Sequence, residues 1–325
     1  MKHSVALIVS LLLASLFTHS APAQSPARAE PGITETRVYK SVEGRELKFL
    51  IEKPPAWEAR DQRPAIVFFF GGGWVGGTPE QFRKQSEYFA SRGLVGIRVE
   101  YRTIPKGDNG PPTVCCADAK SAMRYVRSHA AELGIDPQRI AASGGSAGGH
   151  LAAFTSMVAG QDDPHDDQTV SPRANAIVLF NPVFDNGPDD SGGWGNNRVR
   201  DHVQDFSPAH NISADDPPVI VFLGRNDKLI PVATVERFQA TMKSAGVRCD
   251  AVFYDEQGHG FFNKEPFQSK TLIQADKFLA SLGWLTGPPT LEEAELSENP
   301  VPAAQKKTKK KTKTESPPKK GSTTN

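Results

Sequence analysis

The sequence is poor in cysteine. Cys115, Cys116 and Cys249 are the only three in 325 residues. There is no C-x-x-C and no His/Cys spacing suited to a zinc site, which argues against a disulfide framework or a structural metal as the organising device. Adjacent Cys115 and Cys116 are badly placed to bridge each other, and pairing of either with Cys249 stays open. A surplus of one charge is lacking too, since the formal net charge is +1. That total hides an asymmetry. Pro300 to Asn325 carries eight lysines against one glutamate and Lys2 adds another positive charge, which leaves the body at about −7. A mildly acidic body excludes nucleic acid as the main partner. No internal repeat is present. Nor is a P-loop: the glycine run Gly71-Gly72-Gly73-Trp74 has no Lys-Ser/Thr behind it and does not match G-x-G-x-x-G.

What is present begins with a leader. Lys2 and His3 form a short polar start, Val5 to Phe17 is apolar apart from serines, and Ala21-Pro22-Ala23 gives an A-x-A cleavage pattern before Gln24. The apolar run is short for a bilayer span. Residues 1–23 are therefore expected to be a signal peptide, and the mature protein an exported, periplasmic or extracellular one that does not span a membrane. Residues 24–32 are rich in Pro and Ala and read as a flexible lead-in. From Gly287 the composition shifts to Pro, Glu, Lys and Thr, so 287–325 is expected to be a disordered Lys-rich tail. Residues 33–286 remain as one domain, long enough to bury a large core.

Thr36 to Lys40 and Leu47 to Glu52 read as strands joined by a turn at Ser41 to Gly44. Pro64 to Phe70 (PAIVFFF) is a continuous apolar run, as in a central strand covered on both faces. Helical spacing follows over Pro79 to Arg92, then a strand over Leu94 to Tyr101 and a helix over Val114 to Gly134. Arg139 to Ala142, Ala176 to Val183, Pro218 to Leu223 and Arg248 to Tyr254 read as further strands. Helices are expected over Val232 to Ala245 and Pro266 to Leu282. Phe184 to Pro217 is long, polar and glycine-rich, and is expected to build part of a rim or small lid. Alternation of strand and helix from Phe70 onward predicts an α/β fold with a mostly parallel central sheet of about eight strands, helices on both faces, and the first two strands antiparallel at one edge.

The stretch Arg139 to Ala152, RIAASGGSAGGHLA, passes from strand through a tight glycine turn into an alanine-rich helix, with Ser146 at the apex. Gly144-x-Ser146-x-Gly148 is the nucleophile-elbow pattern, in which small neighbours leave the hydroxyl exposed on a strained turn. A serine needs a base within hydrogen-bond reach and a third group to hold that base. His259, between Gly258 and Gly260 just beyond a strand, suits an exposed, adjustable base. His3 and His19 lie in the leader, His129 and His150 on helices, and His165, His202 and His210 in loops with no strand before them. Asp227 follows a buried strand and precedes Pro231 and a helix, so it belongs at the carboxyl end of the sheet. There it could orient an imidazole or cap the helix. Asp250, Asp255 and Glu256 are its rivals. The order Ser146, Asp227, His259 is the Ser–acid–His order of α/β-hydrolases. An attacked carbonyl needs waiting backbone donors. Gly72 and Gly73, after a central strand, are expected to supply them with Ala147, the residue after the serine. Trp74 and Trp194 are candidates to line the substrate pocket, or to pack in the core.

Together these residues resemble the α/β-hydrolase superfamily, most closely the hormone-sensitive-lipase-like carboxylesterases and the acetyl-xylan and feruloyl esterases. FFFGGGW resembles their H-G-G-G-W oxyanion loop, GIDPQRIAASGGSAGGHLAA their nucleophile region, GRNDKLIPV their acid loop and GHGFF their histidine loop. The likeness spans about Glu46 to Leu285. One departure is Phe70, which stands where the family usually has histidine. The resemblance implies ester hydrolysis through an acyl-enzyme, on small-molecule or polysaccharide esters such as acetyl or feruloyl groups, with no metal and no organic cofactor. The alternatives are a serine peptidase of the same fold and a catalytically silent hydrolase fold used for binding. Oligomeric state is left open.

Overall fold

The computed structural model describes residues 34–188 and 193–291. The expected signal peptide, the lead-in and all of the expected tail beyond Leu291 lie outside them. Eight strands form one sheet: β1 (Thr34–Val42), β2 (Arg45–Glu52), β3 (Arg63–Phe69), β4 (Val95–Val99), β5 (Ile135–Gly145), β6 (Ala176–Phe180), β7 (Val219–Gly224) and β8 (Cys249–Tyr254). Their order is β1-β2-β4-β3-β5-β6-β7-β8. β1 and β2 are antiparallel, β2 meets β4 antiparallel, and every pairing from β4 to β8 is parallel. The β1–β2 turn is tighter than expected. Glu43 and Gly44 make it at φ 52° and 76°.

The helices are α1 (Arg83–Ser91), α2 (Thr113–Ser128), α3 (Ala147–Met157), α4 (Asn196–Val199), α5 (Val203–Phe206), α6 (Val232–Ser244) and α7 (Phe267–Ser281). They cover both faces, which is why the central strands read as unbroken apolar runs. Along β3, Ile66 and Phe68 point into one core with Tyr88 and Phe89 of α1 and Leu272 and Phe278 of α7. Val67 and Phe69 point into the other, with Met123 of α2, Phe154 of α3 and Phe238 of α6. This is the two-residue alternation of a pleated strand. Phe68 is 1 % exposed and stacks on Phe82 at 5.1 Å; burying a side chain of that kind stabilises by about 1.5–3 kcal/mol.

Several boundaries differ from expectation: the strand expected over Ala176 to Val183 ends at Phe180 and the one over Leu94 to Tyr101 ends at Val99. The helix expected to reach Gly134 ends at Ser128, because the chain turns at His129, with Leu133 N–H bonded to His129 O and Ile135 N–H to Ala130 O. Ala130 and Leu133 are buried in that turn, so the apolar spacing runs on after the helix has stopped. β5 accordingly starts at Ile135 rather than Arg139. The described residues of the segment from Phe184 to Pro217 hold α4, α5 and two single 3-10 turns, all too short to show periodicity.

The connectivity positions the site. From β3 the chain steps out to β4, crosses back over β3 to β5, and then adds β6, β7 and β8 on the other side. The strand order reverses between β3 and β5, and in open α/β sheets the carboxyl ends of the strands at such a reversal are where ligands bind.

Candidate active site

Ser146 sits between β5 and α3 at φ 54° and ψ −122°, a backbone conformation that costs roughly 1–3 kcal/mol and persists only where its surroundings hold it. They do. Ser146 N–H donates to Phe180 O at 3.0 Å, and Ser146 O accepts from His150 and Val183 N–H, each at 3.1 Å. The flanking glycines are required by space. A Cβ on Gly148 would run into the Phe69 and Phe70 carbonyls of the neighbouring strand end, and one on Gly144 would strike Gly148 O and Phe69 O.

β8 delivers His259 and β7 delivers Asp227. His259 Nε2 lies 2.9 Å from Ser146 Oγ, and Nδ1 lies 2.8 Å from Asp227 Oδ2. An ionised carboxylate only accepts, so Nδ1 carries the proton and Nε2 is left to accept the serine hydroxyl; this assignment follows from the bonding pattern. The Asp227 carboxylate is fully buried and the His259 ring is about one-quarter exposed. Asp227 Oδ1 accepts Leu229 and Ile230 N–H at 2.8 and 3.0 Å. These bonds lock the loop before α6 rather than cap the helix, whose first residue is Val232.

The rival groups are occupied elsewhere. Asp250 pairs with Arg248 at 2.6 Å and Asp255 with Arg225 at 3.0 Å, while Glu256 is exposed. His150 is fully buried with Nε2 2.7 Å from Phe206 O, and burial holds its imidazole down at about 4. His129 bonds Tyr125 O, His165 meets Asp163, His202 meets Asp205 and His210 meets Ser207. His3 and His19 lie outside the described residues. All three cysteines are free thiols. Burial pushes Cys115 and Cys249 up to about 12, which leaves them poor nucleophiles.

The glycine run leaves β3 and passes beside the serine. One peptide plane, Phe70–Gly71, is held at both ends: Gly71 N–H donates to Gln81 Oε1 at 2.6 Å, and Tyr101 Oη donates to Phe70 O at 2.6 Å. The Phe70 ring stacks on Tyr101 with centroids 4.0 Å apart, so the ring standing where the resemblance implies a histidine packs instead of bonding. Gly71 is thereby committed. The N–H groups of Gly72, Gly73 and Ala147 have no acceptor among the described residues, which leaves them available to a negative charge forming at Ser146. Gln81 and Tyr101 were not singled out from sequence. Tyr101 follows the buried strand β4 by two residues, which is a usable signal; Gln81, in a 3-10 turn (Pro79–Phe82), carries none.

The two tryptophans are brought together but not equivalently. Trp74 is fully buried, edge-on to His150 at 5.1 Å and 5.4 Å from Trp194. Trp194 is half-buried, with its ring about 3.7 Å from where a Cβ on Gly73 would lie. Trp194 therefore fronts the glycine loop and Trp74 supports it from beneath.

The BD-FAE family model matches residues 53–242, from the end of β2 to within α6. The chain belongs to the BD-FAE family. It is an α/β-hydrolase by fold, and its relatives are esterases. Esterase 2 of Thermogutta terrifontis, in a structure phosphoramylated by tabun, is 47 % identical with a TM-score of 0.73; the match covers 78 % of this chain and 96 % of that one. A probable carboxylic ester hydrolase of Mycobacterium tuberculosis, LipM, is 28 % identical over 60 % of this chain and 48 % of its own length. An acetylxylan esterase of Xylanibacter ruminicola is 29 % identical over 70 % of this chain and 46 % of its own. The chain thus spans about half the length of the curated relatives it matches. His259 falls outside the family-model match, so its assignment rests on its bonds to Ser146 and Asp227.

Proposed function

We propose that this BD-FAE member is an exported serine carboxylesterase that hydrolyses short acyl esters through an acyl-enzyme. The observation that carries this is the continuous line of hydrogen bonds from Asp227 through His259 to Ser146, which ends on a hydroxyl held on a strained turn. Ser146 Oγ attacks the ester carbonyl while His259 Nε2 takes its proton. Asp227 holds the ring and stabilises the imidazolium. The N–H groups of Gly72, Gly73 and Ala147 receive the oxyanion; losing one such donor costs about 2.7–4 kcal/mol. The proton on Nε2 then passes to the leaving alcohol, and water repeats the cycle on the acyl-enzyme.

Short acyl groups are favoured because Trp194 and Trp74 crowd the glycine loop. Structures of the Thermogutta esterase bound to propionate and to butyrate agree with that choice, and its adduct with tabun agrees with an activated nucleophile in this family. Likeness to the acetylxylan esterase makes O-acetyl groups on polysaccharide the natural substrate to try first. Export rests on the leader pattern of residues 1–23.

The test is initial rates of wild type and Ser146→Ala on p-nitrophenyl acetate, butyrate and octanoate, methyl ferulate and acetylated xylan. Wild type is expected to prefer acetate and butyrate over octanoate, and Ser146→Ala to lose at least about 10⁴-fold in kcat. A fluorophosphonate probe should label wild type and leave the variant unlabelled. Turnover that survives in Ser146→Ala, or no turnover of any ester by wild type, would end this proposal.

A further inference from the structure

Between β6 and Pro182 stands Asn181, fully buried and at φ 35°. Left-handed backbone is uncommon for residues other than glycine, and asparagine is among those that tolerate it. Its own N–H is held by Phe222 O at 2.7 Å. Its side chain reaches the histidine loop: Oδ1 accepts Gly260 N–H at 3.0 Å, and Nδ2 lies 3.5 Å from His259 Nε2. The Gly260 bond fixes the amide's orientation, since only the oxygen can accept it.

The neighbours of Asn181 hold the nucleophile. Phe180 O takes Ser146 N–H, and Val183 N–H reaches Ser146 O. One segment of four residues, 180–183, therefore grips the serine on both sides and the histidine loop in the middle. That loop is held at its two ends: Gln257 O accepts Asn226 N–H at 2.8 Å, Gly260 O accepts Asn263 N–H at 3.1 Å, and Phe261 and Phe262 are buried. Glycines flank His259 on both sides, and around Gly258 the nearest atom to an added Cβ would be 3.9 Å away. Asp227 anchors the ring through Nδ1, and Asn181 supplies the side-chain bond to the backbone N–H of the very next residue.

We propose that Asn181 is a positioning residue that sets the separation of His259 Nε2 from Ser146 Oγ by tying the histidine loop to the segment that holds the serine. The inference rests on the serine-esterase proposal above. Nε2 must meet two oxygens in turn, first the serine's and then the leaving alcohol's. A base free to drift by even an ångström loses proximity worth up to about 100-fold in rate. The Asn181 amide adds a wall beside Nε2 on the side away from Asp227.

The experiment measures kcat and KM on p-nitrophenyl acetate, together with Tm, for Asn181→Gly and Asn181→Asp. Wild type and Ser146→Ala serve as references. Glycine accepts the positive φ, so Asn181→Gly removes the side chain without straining the backbone. It should lose at least about tenfold in kcat with KM unchanged and Tm close to wild type. Asn181→Asp keeps an oxygen for Gly260 N–H and should recover most of that kcat at alkaline pH. The acid limb of its pH–rate profile should move upward, because a carboxylate beside Nε2 favours the protonated ring. Asp227 is the titratable group already bonded to this ring; of the charged residues nearby on the same loops, Arg225 and Asp255 pair with each other, and Lys228 and Glu256 are exposed. Three results would overturn the proposal: Asn181→Gly with wild-type kcat while Ser146→Ala is inactive, parallel losses of kcat and Tm with no recovery in Asn181→Asp, or an unmoved acid limb. If wild type shows no Ser146-dependent turnover, the esterase proposal fails first, and the two failures are told apart by that control.

Discussion

A phenylalanine where the family resemblance implies a histidine could have left the glycine loop unsupported. Support comes instead from two side chains that grip one peptide plane, Gln81 on the N–H of Gly71 and Tyr101 on the carbonyl of Phe70. Because a peptide is planar, fixing its two ends fixes the direction in which the next amides leave it. Those amides belong to Gly72 and Gly73, both at positive φ and free to turn if nothing sets their start. Gln81→Ala is therefore expected to lower kcat on p-nitrophenyl acetate by about tenfold, less than the 10²–10³ of deleting a donor outright, because the donors remain but are no longer held in place. KM should stay within about twofold, since the effect falls on the transition state. A Gln81→Ala enzyme with wild-type kcat would show that Tyr101 and the Phe70–Tyr101 stacking hold the loop unaided.

At the scale of elements, what could be read in the sequence and what could not divide along one line. Ser146, Asp227 and His259 were readable because each stands just beyond the end of an apolar strand, a local signal that survives without coordinates. The end of α2 was not, because Ala130 and Leu133 are buried in a turn that continues the helix's apolar spacing. Nor were contacts between elements distant in sequence. Lys40 on β1 reaches Asp118 on α2 at 2.8 Å, Asp163 beyond α3 at 2.6 Å and Ser121 Oγ at 2.9 Å, and no spacing rule pairs them. This cluster matters to stability because β1 is an edge strand joined to the sheet through β2 alone. Burial pushes the Asp163 carboxyl up, but the bonds from Lys40 and from the His165 N–H and ring outweigh it and hold the group well below the usual carboxylate range. The folded state thus binds the Asp163 proton less readily than the unfolded chain, whose value is about 3.9. The stabilisation is present in full above about pH 4 and is lost as the pH falls below it. Asp163→Asn should cost about 1.5–3 kcal/mol at pH 7, typical of a hydrogen bond to a charged group. Its Tm deficit against wild type should shrink as the pH is lowered below about 4. A deficit that stays constant from pH 7 to pH 3 would assign the loss to packing instead of charge.

For the molecule as a whole, the sheet is a platform whose carboxyl edge collects chemistry from separate strands: the glycine loop from β3, the serine from β5, Asn181 from β6, the aspartate from β7 and the histidine from β8. No pair of these is local in sequence, so the geometry depends on the whole sheet being assembled and rigid. Beyond α7, Leu285 is 7 % exposed and packs in the core shared by α1 and α7. It is pinned by Arg92, which pairs with Asp276 at 2.6 Å and donates to the carbonyls of Thr286 and Gly287, each at 3.1 Å. Among the described residues, the core and the candidate site draw on nothing beyond Leu291, and from residue 292 the sequence turns first to glutamate and then to proline, lysine and threonine. Deleting residues 292–325 should therefore leave kcat/KM on neutral p-nitrophenyl acetate within about twofold of wild type, because long-range fields act chiefly on charged ligands. It should move Tm by no more than about 1–2 °C, less than the 2–4 °C that 1 kcal/mol produces in a domain of this size. Parallel thermal melts and initial rates of the full chain and the shortened one decide it. A fall in Tm of about 5 °C or more would mean that the lysine-rich stretch packs on the domain and that Arg92 does not end the fold.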